Sequence, residues 1–118
     1  MSGITKFVLL RSAFAPADSG RVTDLLRQHA DDVTETRKGR HWNFVIGDAV
    51  VSLSVLNTAR HKYDFEDDLL ENDLDFDDAP EAFLLSFPTR RECDHEKCIV
   101  LSRRLAELFG GIVCNSPS

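Results

Sequence analysis

The stretch His41–Leu56, HWNFVIGDAVVSLSVL, decides the fold. Trp42, Phe44 and Ile46 fall on every second residue, and so do Val51, Leu53 and Val55. Ser52 and Ser54 take the other side of the second run. A period of two is the signature of half-buried strands. Gly47-Asp48 between the runs supplies a two-residue turn, so the stretch reads as a β-hairpin. Strands with one apolar and one polar face belong to a mostly antiparallel sheet covered on its apolar side.

Working outward, Lys6–Phe14 (KFVLLRSAF) reads as a first strand. Asp18 follows as an N-cap, and Val22, Leu25, Leu26, His29 and Val33 recur at spacings of three and four. That is an amphipathic helix of about four turns. Thr34–Arg40 is polar and ends in a turn at Lys38-Gly39-Arg40. Beyond the hairpin, Ala82–Phe87 is a strand closed by Pro88. Glu92–Phe109 is a second helix with Cys98, Leu101, Leu105, Leu108 and Phe109 on its inner stripe. Gly110-Gly111 ends it, Ile112–Cys114 is a short last strand, and Asn115–Ser118 is a tail. The reading is a single α+β domain over residues 1–118. It is a two-layer sandwich, a mostly antiparallel sheet with two helices on one face. The order is β-α-β-β-(acidic segment)-β-α-β, a ferredoxin-like variant with one strand more than the simplest form.

Composition excludes several classes. With 42 % hydrophobic residues the 118-residue chain has material for one core. No apolar run approaches the roughly 20 residues that cross a bilayer, so no membrane association is expected. The first residues, MSGITKFVLLRSAF, do not read as a signal peptide. Three cysteines, an odd number without disulfide-like spacing, point to a reducing cytoplasm. The net charge of −6 opposes nucleic-acid binding. That charge is uneven. Residues 64–81 hold ten acids and no Lys or Arg, which leaves the remainder of the chain at +4. Apolar residues are interleaved with the acids. Phe65 and Leu69 are four apart, as on a short helix, and Leu74 and Phe76 two apart, as on an extended segment.

Candidate chemistry is sparse. Cys93, His95 and Cys98 lie close together, with Cys114 as a possible fourth metal ligand. On a helix about 200° separates Cys93 from His95, and paired C-x₂-C spacings are absent. The expectation is therefore Cys98 in the core, with Cys93 and His95 at an exposed helix start, and no metal. Asp73, Asp75 and Asp77 imitate the first ligands of an EF-hand loop. Asp78 stands where that loop needs Gly and Leu84 where it needs Glu, so the EF-hand is rejected. His41, His61 and His95 are candidate general bases without a nucleophile motif beside them. No phosphate-cradling glycine motif occurs, and no cofactor is expected. Arg37, Lys38 and Arg40, with Arg60, His61 and Lys62, form short basic clusters, as do Arg90 and Arg91, all read as solvated turns.

The acidic run Tyr63–Glu81, YDFEDDLLENDLDFDDAPE, carries the functional expectation. A dense carboxylate array steers a basic partner, and apolar side chains among the acids supply packed anchors. In size, acidity and this run the chain resembles the small bacterial immunity proteins that neutralise contact-dependent or secretion-system toxins. The resemblance implies a non-catalytic inhibitor that binds a basic protein such as a toxin. Its interface would be Asp64, Phe65, Glu66, Asp67, Asp68, Glu71, Asp73, Asp75, Phe76, Asp77 and Asp78, with Tyr63, Leu70 and Leu74 as further anchors. The alternative reading is a small-ligand-binding or homodimerising domain, with Trp42, Phe44, Phe83 and Phe87 lining a pocket if the sheet leaves them uncovered. A small enzyme is the third reading.

Overall fold

The hairpin stands as its sequence dictates. In the computed structural model, which describes residues 4–37, 39–88 and 92–114, with the side chains of residues 4, 64 and 92–95 outside the description, the first run is β3 (His41–Ile46) and the second β4 (Ala49–Asn57). Gly47 turns the chain at φ +61°. Glycine at the first of two turn residues matches the right-handed twist of the flanking strands. Ile46 thus faces Ala49, Phe44 faces Val51 and Trp42 faces Leu53.

Around this hairpin the chain lays down β1 (Ile4–Leu10), a 3-10 turn (Pro16–Asp18), α1 (Ser19–His29) and β2 (Asp31–Thr36). After β4 come α2 (Lys62–Glu71), β5 (Glu81–Phe87), α3 (Glu92–Phe109) and β6 (Ile112–Cys114). The described residues thus form an α+β fold with one six-stranded sheet in the order β2-β3-β4-β5-β1-β6. Every neighbouring pair is antiparallel.

The two sheet faces bury different clusters. On one face Val8, Leu10, Trp42, Phe44, Leu53, Val55, Phe83, Leu85 and Phe87 meet Val22 and Leu26 of α1 and Cys98, Leu101 and Leu105 of α3. The Trp42 indole N–H donates to Thr23 Oγ1 at 3.0 Å, so the largest side chain leaves no polar atom unpaired. On the other face Leu9, Ala82 and Cys114 meet Phe65 and Leu69 of α2.

Three expectations are corrected. The first helix ends at His29, because Ala30 is already extended (φ −147°, ψ 166°). Val33 belongs to β2, an edge strand that the polar sequence DDVTET conceals and that only pairing with β3 reveals. Asp18 stands at the helix entry without a side-chain cap bond; its carboxylate takes Arg21 instead, at 3.4 Å. Finally, the acidic segment contributes a helix of its own, so helices cover both faces of the sheet rather than one. Gly110, at φ +65°, ends α3 as the sequence indicates.

Candidate functional site

Phe65 and Leu69, four residues apart, place α2. Both are buried, and Phe65 meets the Phe7 ring edge-on at 4.8 Å between centroids. The two ends of the excursion are tied at its base. Buried Thr58 accepts nothing from solvent: its hydroxyl donates to the Ala79 carbonyl at 2.6 Å and its N–H to the Pro80 carbonyl at 3.0 Å.

The C-terminus of α2 is closed by its own backbone. Asp73 is left-handed, at φ +55°. The N–H of Asp73 donates to the Leu70 carbonyl at 3.2 Å, and that of Leu74 to the Leu69 carbonyl at 2.9 Å. This double closure is the Schellman motif, and it turns Leu74 back against the cluster that holds Leu69. Leu74 and Phe76, expected on an extended segment, lie instead in a series of turns and are half-buried. Within those turns Asp75 Oδ1 accepts the N–H groups of Asp77 (2.9 Å) and Asp78 (3.0 Å). Asp78 Oδ2 accepts the N–H of Asp75 at 3.2 Å. Two of the loop carboxylates are therefore turn-forming groups.

The residues expected at an interface separate into two sets. Glu66, Asp67, Glu71, Asp73, Asp75, Asp77 and Asp78 are exposed. Phe65 and Asp68 face inward and offer no surface. The side chain of Asp64 lies outside the described residues. Glu81, the last acid of the run, is also buried: Oε1 accepts the Phe14 N–H at 2.6 Å, and Oε2 pairs with Arg40. Among the exposed acids stand two large apolar side chains, Tyr63 at 88 % exposure and Leu70 at 71 %. They are seven residues apart, on one side of α2, with Glu66 and Asp67 between them.

The cysteines divide across the sheet. Cys98 lies on the sheet-facing side of α3 and Cys114 on β6 beneath α2, on opposite faces of the sheet. Burial pushes the Cys98 thiol up to about 11. Burial, with Asp68 and Glu71 nearby, pushes Cys114 up to about 12. Cys93 and His95 have side chains outside the described residues, as do Lys38, Arg90 and Arg91 in their entirety. Among the described residues no group of three His, Cys, Asp or Glu is placed to hold a metal.

Trp42, Phe44, Phe83 and Phe87 are core, at most 1 % exposed, so none of them lines a pocket. A groove of about 670 Å³ lies elsewhere, between the end of α1, the β3–β4 turn and α3, with Arg27, His29, Asp31, Glu96 and Lys97 on its walls. His61 precedes α2. His41 has a partner that its sequence neighbours hide: Nδ1 lies 2.6 Å from Ser54 Oγ. Counting back along both strands from Gly47-Asp48 places these two opposite each other, and that register was the available signal. No described helix is long and apolar enough to cross a membrane. No family model, no curated protein and no solved structure matches the chain.

Proposed function

We propose that α2 and the loop after it form a docking surface for a basic protein, and that the chain acts as an immunity-type inhibitor of a toxin rather than as an enzyme. The observation that carries this is the outer face of α2. A helix anchored by Phe65 and Leu69 has no folding reason to expose Tyr63 and Leu70 as well. Apolar anchors seven apart, set among carboxylates, fit a groove with a basic rim. The acids supply steering and the two anchors supply desolvated contact. A reducing compartment such as the cytoplasm accords with Cys98 and Cys114, which are free and separated by the sheet. In topology we infer a ferredoxin-like core, β1 between β6 and β5, whose usual central hairpin is lengthened to the meander β2–β5.

The test is calorimetric titration against the product of any adjacent gene that encodes a basic protein. Replacing Tyr63 and Leu70 by Ser touches no core contact, so folding is retained and binding falls by at least about tenfold per anchor, the cost of a hot-spot side chain. Glu66→Lys with Asp67→Lys slows association and flattens its salt dependence. Unchanged binding in both double variants refutes the reading. Asp75 and Asp78 are unsuitable test positions, because their carboxylates hold the loop.

A further inference from the structure

His41 is the first residue of β3 and stands opposite Ser54 of β4, on the sheet face away from α1 and α3. Its Nδ1 is 2.6 Å from Ser54 Oγ, and its Nε2 is 3.3 Å from Asn43 Oδ1. An amide oxygen only accepts. Nε2 therefore carries the ring proton, and Nδ1 of the neutral imidazole accepts from the Ser54 hydroxyl. Beside the pair is a cleft of about 220 Å³ lined by Arg37, Arg40, His41, Ser54, Val55 and Leu56. Arg40 is paired with Glu81, whereas Arg37 occupies the β2–β3 turn at φ +51°. That backbone region costs any residue with a Cβ, and such cost collects at functional positions.

We propose that this cleft binds a small tetrahedral oxyanion, a sulfate or phosphate group, held by Arg37 and Ser54 with uptake of a second proton by His41. Once Nδ1 is protonated it donates to Ser54 Oγ, and the hydroxyl hydrogen turns toward the cleft. Guanidinium and hydroxyl then present donors to the cleft, the complement of an anion that only accepts, while both imidazolium N–H groups stay with Ser54 and Asn43. Among the described residues that line the cleft, the charged groups beside the imidazole are Arg37 and Arg40, the latter tied to Glu81. Thr36 of β2 pairs with His41, and Leu84 of β5 with Ser54, and neither titrates. A bound anion thus offsets the positive charge gathered in the cleft. The site is separate from the outer face of α2 and does not depend on the docking reading.

The probe is sodium sulfate, whose charge is constant over the range in which histidine titrates. Amide shifts of the ¹⁵N-labelled protein are followed at constant ionic strength against sodium chloride. Saturable shifts confined to the Arg37, His41 and Ser54 region are expected, with tighter binding at about pH 5.5 than at about pH 8. Arg37→Gly suits the backbone of the turn, so it retains the fold and loses the saturable response. Ser54→Ala weakens it. Shifts that stay linear in sulfate, spread over the chain, survive Arg37→Gly or grow with pH overturn the proposal.

Discussion

Replacing Phe65 by Ala tests whether α2 is a separately detachable unit. Phe65 is fully buried in the smaller of the two clusters, and its ring packs edge-on against Phe7. Deleting a buried Phe side chain costs about 3–5 kcal/mol. Of this, roughly 0.5–1.5 kcal/mol is the aromatic pair. Every ~1.4 kcal/mol is tenfold in population, so the state with α2 undocked gains at least about a hundredfold. Cys114 lies under α2 and Cys98 on the inner side of α3, which gives each face its own reporter. Cys93→Ser removes the third thiol. Pulsed alkylation read by peptide mass then follows the two remaining cysteines separately. In Phe65→Ala, Cys114 labels at least about a hundredfold faster while Cys98 keeps its protection, because the cluster of Trp42, Phe44, Phe83 and Leu101 is untouched. Undocking also removes the burial that raises the Cys114 thiol, which speeds its labelling further. If both cysteines lose protection together at one rate, the sheet and α2 unfold as a single unit and the reasoning fails.

Three further outcomes follow from single groups. Asp73 is left-handed at the end of α2, where glycine has no Cβ penalty, so Asp73→Gly raises stability by about 0.5–1 kcal/mol in urea melts. Glu81→Ala leaves the Phe14 N–H and Arg40 without their acceptor, and loses about 2–3 kcal/mol in the same assay, whereas Glu81→Gln loses less. Cys98 and Cys114 hold their protons more tightly when folded than when unfolded, from an ordinary 9.0 up to about 11 and about 12. The folded state therefore binds more protons in that interval, and stability falls as pH rises from about 9 toward 12. The Cys98→Ala, Cys114→Ala double variant flattens that decline in pH-dependent denaturation.

The hairpin was legible because two independent signals agree there: strict alternation and a turn of the right length. The same turn length fixes the register, so the pairing of His41 with Ser54 was present in the sequence, though no local motif marks it. β2 was hidden because all of its residues but Val33 are polar, and its strand conformation comes from hydrogen bonds to β3 rather than from its own preferences. The spacing of Val33 from His29 continues the helical pattern past the true end of α1. In the acidic run, Phe65 and Leu69 showed the helix, while the direction of each carboxylate depended on closures formed only in three dimensions. Asp68 turns inward, Asp75 and Asp78 serve the loop, and Glu81 pairs with Arg40, which sits far away in the chain.

The poor strand character of β2 has a use of its own. It is one border of the sheet, and the three-residue β6 is the other. Open borders invite further strands from neighbouring molecules, the first step toward amyloid-like stacking. β2 presents Asp31, Asp32 and Glu35, has an irregular register between Asp31 and Thr34, and carries Asp32 at φ +50°. A like-charged, bent border repels its own copy, and β6 is too short to template one. The chain can thus carry an extended six-stranded sheet at high concentration without growing it from molecule to molecule.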